Sequence, residues 1–300
     1  MSGTRPYVSS GAFRQALEER LNHISRQEGT DFQRLCRRVA FDRFLARLVS
    51  APTRDWILKG GYAMELRFVT ARSTRDLDFT LRAGTTESAL GHLQGAGSLH
   101  IGDFFSFRVG EPMMDLDAAP YGGARYPVES RVDGRTFVRF HVDVGIGDVI
   151  LEPFEILTTR DWLAFAEIPA PQVAMIAREQ QFAEKIHAYT VPRPSLNSRV
   201  RDLVDLYLLI ASGSLNASLC AEALRRTFER RNTHDIPEEL VPPPADWERP
   251  FRRGTGDSRQ LSPGNQLVHR NNLPIAISGL IQSVDKIASI AVIDLISSPA

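Results

Sequence analysis

Asp76 and Asp78 stand one residue apart in "RDLDFTL", residues 75–81, where polar and apolar side chains alternate. An extended strand puts alternate side chains on one face, so Asp76, Asp78 and Thr80 point one way and Leu77, Phe79 and Leu81 the other. The two carboxylates then lie about 6.6 Å apart, at about 3.3 Å per residue. Like charges so placed repel unless a cation or a basic neighbour compensates, and magnesium is the usual hard cation for carboxylates together with phosphate oxygens. By itself the pair fits a solvated strand face equally well.

Two further features extend the pattern. Lys59, Gly60 and Gly61 lie between "DWILK", which reads as a short strand, and "YAMELRF", which reads as a short helix. Glycines there let backbone N–H groups approach a phosphate, and the following helix N-terminus favours negative charge. An ordinary strand-to-helix turn is the alternative, and Lys59 and Arg75 fit either a phosphate contact or a surface charge. In "FVRFHVDV", residues 137–144, Val138, Phe140, Val142 and Val144 form an apolar face, and Arg139, His141 and Asp143 a polar one. If this strand neighbours the first, Asp143 completes a three-carboxylate cluster of the kind that two-metal nucleotidyl transfer requires. No second histidine lies at ligand spacing, so His141 reads as a neighbour and not a ligand.

The elements that must hold these residues follow from periodicity. Residues 11–50 read as two helices, the second capped by Thr30 or Asp31. Residues 83–100 are helical, and 103–109, 124–132 and 136–146 are strands, the last two joined through the hairpin signal Asp133–Gly134. From residue 171 the pattern turns helical: "PQVAMIAREQQFAEKIHAYTV", "SRVRDLVDLYLLIAS" and residues 216–232. The expected organisation is an α/β part with N-terminal helices over 1–170 and a mainly helical part over 171–300 that completes the active site. The apolar run 273–296, interrupted by Asp285 and Lys286, reads as a buried amphipathic helix and not a membrane span.

Composition narrows the class. The chain has 300 residues, 43% apolar and 24% charged, with zero formal net charge. That is a globular pattern without whole-protein attraction to nucleic acid or membrane. Residues 1–50 carry nine arginines against five carboxylates, and Arg34, Arg38, Arg43 and Arg47 recur near helical spacing, as a basic face or a plain solvated one. Arg225, Arg226, Arg230 and Arg231 pose the same choice. Two distant cysteines, Cys36 and Cys220, fit a reducing compartment, and the N-terminus has no apolar signal-peptide core, so a cytoplasmic location is expected. Of 36 basic residues only Lys59, Lys185 and Lys286 are lysine. Lysine is a compact point charge where arginine is a planar fork, which makes lysines in an arginine-rich chain candidates for a specific role.

A glycine pair on a strand–helix turn, then R-S-x-x-D-L-D on a strand, then a carboxylate on a later strand resembles the DNA-polymerase-β nucleotidyltransferase fold. "LKGGYAMELRF" with "RSTRDLDF", then "QQFAEKIHAYT" and "RVRDLVDLYLL", resemble the AbiEii/AbiGii toxin family, which includes the MenT-like toxins; the resemblance covers roughly residues 12–215. It implies an α+β fold, a polymerase-β-like mixed sheet with flanking helices and a mainly helical C-terminal part. It also implies a toxin held in check by a co-encoded antitoxin, here expected to be of winged-helix type. The expected activity is Mg2+-dependent transfer of nucleotides from an NTP, often a pyrimidine, onto an RNA 3′ end such as the tRNA acceptor stem, which blocks translation. Gly60 and Gly61 match the glycine turn, with Lys59 before them. Asp76 and Asp78 match the metal-binding pair, and Asp143 the later acidic position, often Glu in relatives. Lys185 matches the lysine expected at the nucleotide phosphates and Asp205 the active-site aspartate of R-D-L-x-D-L. Asp202 is expected to brace the local structure through Arg201 or Arg199. Two other readings stay open from the residues alone: an Asp-x-Asp metal-dependent glycosyltransferase, and a non-catalytic antitoxin- or RNA-binding protein on the same fold.

Overall fold

The structure, a computed structural model, describes residues 7–52, 56–116, 119–192, 199–237, 240, 241, 243, 244 and 247. The apolar run 273–296 lies outside the described residues. The chain forms two compact units. The first takes the chain up to Leu66, Ser73–Gly147 and Glu155–Met175; the second takes Arg67–Arg72, Asp148–Phe154 and the described residues from Ile176 onward.

The first unit is a mixed eight-stranded sheet with helices. In chain order it comprises α1 (Ser10–Glu28), α2 (Phe32–Ser50), β1 (Ile57–Lys59), α3 (Gly60–Arg67), β2 (Asp76–Leu81), α4 (Thr86–Gly97), β3 (Phe105–Val109), β4 (Met114–Asp115), β5 (Gly123–Val132), β6 (Arg135–Ile146), β7 (Glu155–Thr158) and β8 (Gln172–Met175). The strand order is β3-β5-β6-β2-β1-β8-β7, with β4 also paired to β5. The β2/β6 and β1/β8 pairs are parallel, and the others antiparallel. Asp133 and Gly134, both at positive φ (54° and 67°), make the tight β5–β6 turn. Asp31 caps α2, accepting from the Arg34 N–H. The segment from residue 171 was expected to be helical throughout, but Gln172–Met175 form β8 and the helix starts only at Arg178. "QVAM" is short enough for either state, and pairing with β1 and β7 decides it.

The core gathers one sheet face against the helices. Leu77, Phe79, Phe140, Val142 and Val144 are buried together with Leu35, Val39, Phe41, Phe44 and Leu48 of α2. Phe140 meets the rings of Phe41 and Phe44 edge-on, at centroid distances of 5.0 and 5.9 Å. Each such side chain contributes roughly 1.5–3 kcal/mol through burial. The arginines of α2 point inward, which neither the basic-face nor the solvated-face expectation anticipates. Arg43 and Arg47 are buried on Asp103: Arg47 donates to Oδ2 at 2.8 Å and Oδ1 at 2.7 Å, and Arg43 to Oδ2 at 2.8 Å. Burial alone would raise the Asp103 carboxyl, but the two guanidinium groups outweigh it and hold it below the usual carboxylate range.

The second unit contains α5 (Arg178–Thr190), α6 (Val200–Ala211) and α7 (Ala217–Arg231). Leu203, Leu206 and Leu209 of α6 are buried, as are Phe182 and Ile186 of α5 and Leu224 and Phe228 of α7. Cys36 and Cys220, one in each unit, are free and buried. No helix among the described residues is long and apolar enough to cross a membrane.

Candidate active site

Sheet pairing converts the separate sequence features into one charged row. Lys59 on β1 is opposite Asp78 on β2, Asp78 is opposite Asp143 on β6, and Asp143 is opposite Arg125 on β5. Directly paired residues share a sheet face, so four strands carry the order Lys, Asp, Asp, Arg on one face. Two residues along β2, Asp76 is opposite His141, and its Oδ1 lies 3.2 Å from His141 Nδ1. The opposite face of β2 supplies the buried Leu77 and Phe79.

The glycine turn is built around Asp78. Gly60 has φ +65°, and a Cβ there would lie 2.1 Å from Asp78 Oδ2. The Gly61 N–H, in the first turn of α3, donates to the same oxygen at 3.3 Å. The helix N-terminus that favours an anion thus already faces a carboxylate. Glu65, buried on α3, fixes the approach to β2. Its Oε1 accepts from the Thr74 N–H at 2.6 Å, and its Oε2 from Arg34 at 2.9 Å and Arg38 at 2.8 Å. Two arginines that read as surface charge therefore anchor the segment leading into Asp76.

Arg125 is the residue that sequence reasoning missed. Its Nε donates to Asp143 Oδ1 and its Nη2 to Asp143 Oδ2, both at 2.7 Å, and Nη2 lies 3.6 Å from Asp76 Oδ2. These bonds to Asp143 hold the guanidinium pKa above its ordinary value, with Asp76 and Asp78 adding to the effect. Asp76 and Asp78, only partly buried, offer hard oxygen donors of the kind that Mg2+ takes together with phosphate oxygens. Asp143, 8% exposed, has both oxygens engaged by Arg125. No group of three or more His, Cys, Asp or Glu side chains among the described residues is arranged to hold a metal ion. Asp76 and Asp78 are of the donor type that would hold a hard cation, while Asp143 is engaged by a guanidinium.

The second unit gathers the other candidates. Lys185 Nζ on α5 lies 2.8 Å from Asp202 Oδ1 and 2.7 Å from Asp205 Oδ2 on α6. The two aspartates, three apart on a helix, share a face. Burial would lower the Lys185 pKa, but Asp205 and Asp202 outweigh it and raise it above the ordinary lysine value. Burial pushes Asp202 up, yet Lys185 and Arg199 hold it below the usual range. Arg199 Nη1 lies 3.3 Å from Asp202, one of the two braces expected for it, and Arg72 donates to Asp205 at 3.1 Å. Arg231 is turned inward onto Asp148 at 3.0 Å, and Arg225 pairs with Glu222 and Glu229, so these two are engaged within the protein.

A cavity of about 1310 Å3 in the first unit is lined by α1 together with Arg135, Trp162 and Phe165, and none of the candidates lines it.

Comparison with known proteins identifies the family. Residues 43–263 match the family model described as nucleotidyl transferase AbiEii toxin, Type IV TA system. No curated protein matches the chain in sequence. Among solved structures, the fold is similar to MenT4, a nucleotidyltransferase toxin from Mycobacterium tuberculosis, at 16% identity and a TM-score of 0.56, covering 89% of each chain. JHP933 from Helicobacter pylori matches at 15% identity and a TM-score of 0.47, over 88% of this chain and 96% of its own. With the family model spanning well over half of its length, the chain belongs to the AbiEii toxin family and is a nucleotidyltransferase.

Proposed function

We propose that the protein transfers a nucleotide from an NTP to the 3′-hydroxyl of an RNA, with the tRNA acceptor stem as the acceptor, and so blocks translation in the cytoplasm. The observation that supports this most is the polar face that carries Asp76, Asp78 and Asp143 beside the Gly60–Gly61 turn. In the reaction the RNA 3′-oxygen forms a bond to the α-phosphorus, the bond from that phosphorus to the β-phosphate oxygen breaks, and pyrophosphate leaves with the electron pair. The hydroxyl proton passes to solvent. When bound, Mg2+ supplies charge neutralisation of the phosphates and a lowered pKa for the attacking hydroxyl. Asp76 and Asp78 would hold it; Asp143 orients the neighbouring groups; Lys59 meets phosphate oxygens, while the Gly61 N–H holds Asp78 in place. Lys185 and Asp205 are assigned to the nucleotide on the strength of the family motif. Most of the acceleration comes from positioning and electrostatics. A co-encoded antitoxin, of winged-helix type, restrains the activity.

The test uses the purified protein with Mg2+, each α-labelled NTP in turn and total RNA. Label is expected on tRNA 3′ ends, from one NTP in preference to the others. Periodate oxidation of the acceptor should abolish it by destroying the 3′-hydroxyl, and EDTA should abolish it by removing the metal. Zero net charge leaves RNA binding to local arginines, so labelling falls as salt rises. Asp76→Asn and Asp78→Asn should each reduce transfer at least about a hundredfold. Label on protein hydroxyls would refute the RNA assignment, and no transfer to any acceptor would favour a non-catalytic role.

A further inference from the structure

The proposed chemistry asks for cationic charge near the reacting phosphates, and on the sheet face one of the three carboxylates, Asp143, is engaged by a guanidinium. Asp143 meets Arg125 through two parallel bonds of 2.7 Å, the fork geometry in which guanidinium and carboxylate fit best. The same guanidinium reaches toward Asp76 at 3.6 Å, so it lies between the outer two of the three carboxylates. Its Nη1 takes part in neither contact. The pair is partly buried, with the Arg125 side chain 28% exposed and that of Asp143 12%. The backbone supports the arrangement: β5 and β6 run antiparallel side by side, with Arg125 directly opposite Asp143.

From this geometry we infer that Arg125 is a built-in cation that takes the place of a second metal, so that the site binds a single divalent ion on Asp76 and Asp78. This rests on the metal-dependent reading above. Asp143 is then a positioning residue that holds Arg125, and Arg125 lends its charge to the triphosphate.

Metal binding separates the possibilities without any turnover. Mn2+ is titrated into the full-length protein, with no nucleotide present, and free Mn2+ is followed by electron paramagnetic resonance. One Mn2+ per chain is expected, weakened at least tenfold in Asp78→Asn. Asp143→Asn should keep that affinity within about threefold, because Asp143 is not a ligand. Arg125→Gln, which opens the third carboxylate, should gain a second Mn2+ or bind the first at least tenfold more tightly; Arg125→Lys should stay at one. Circular dichroism checks the folding of each variant, and Asp143→Asn carries the test if Arg125→Gln is unfolded. Two Mn2+ in the wild-type protein, or loss of binding in Asp143→Asn as complete as in Asp78→Asn, would overturn the role of Arg125. Wild-type protein that binds no Mn2+, alone or with any NTP, would instead overturn the metal reading beneath it.

Discussion

Gly60→Ala is the sharpest probe of how the turn and the carboxylate depend on each other. The added methyl would sit 2.1 Å from Asp78 Oδ2, 2.4 Å from its Cγ and 2.6 Å from its Cβ. Rotating the carboxylate away relieves only the first two overlaps, because the Cβ belongs to the strand. The φ of +65° costs an L-residue about 1–2 kcal/mol, and overpacking adds about 1–3 kcal/mol. The variant should therefore lose about 2–5 kcal/mol. Only the second part depends on Asp78. In a cycle with Asp78→Gly, the double variant should be more stable than additivity predicts by about 1–3 kcal/mol. Urea unfolding of the four proteins measures this directly. Additivity within about 0.5 kcal/mol would refute the packing argument. Transfer should fall at least about a hundredfold in Gly60→Ala even where it is folded, since a misplacement of about 1 Å is enough.

Three other expectations follow. Lys185→Ala should cost about 1–3 kcal/mol, because it leaves Asp202 with Arg199 alone and the buried Asp205 with Arg72 alone; adding Asp205→Asn should recover part of the loss, and a thermal shift below the range of a surface mutation would argue against the buried cluster. Burial raises the Asp42 carboxyl from 3.8 to about 7, although the Tyr62 hydroxyl donates to it at 2.5 Å. The folded protein then holds an extra proton between those two values, so stability falls as pH rises through that window and stays lower above it; Asp42→Asn should flatten the difference between urea unfolding at pH 5 and at pH 8, and an unchanged difference would contradict the assignment. Glu65→Gln should weaken the Arg34 and Arg38 contacts and reduce transfer by loosening the entry to β2, with the loss visible in kcat at saturating NTP; an unaltered kcat would refute it.

Much of the site was legible because its parts are local patterns. Asp76 and Asp78 alternate with buried Leu77 and Phe79, the glycine pair sits on a strand–helix turn, and Val138 to Val144 mark one face of β6, so each could be read without knowing its partners. Arg125 could not. Counting back from the Asp133–Gly134 turn, an uninterrupted ladder puts Arg125 opposite Val142, on the apolar face. A register shift between Ser130 and Arg131 moves it opposite Asp143, because Phe137 is an extra residue on β6, and a one-residue bulge of that kind has no signature in "RTFVRFHVDV". Glu65, Arg34 and Arg38 escaped for a related reason: helical spacing says which residues share a face but not whether that face meets solvent or a buried carboxylate. β8 was read as helix because four residues carry too little periodicity, and its strand state comes from pairing with a segment more than a hundred residues earlier.

That late pairing has a consequence for how the enzyme comes into being. Arg125 and Asp143 lie 18 residues apart and sit on one hairpin, a local structure that closes on the microsecond scale. Asp78 must find Asp143 across an intervening helix and three strands, and β1 gains its second neighbour only when Met175 is present. Long-range pairings of this kind form late, and synthesis delivers the chain from its N-terminus. The row Lys59, Asp78, Asp143, Arg125 therefore cannot be complete before β6 has been synthesised. The order of translation itself delays assembly of the charged row until most of the first unit has been made.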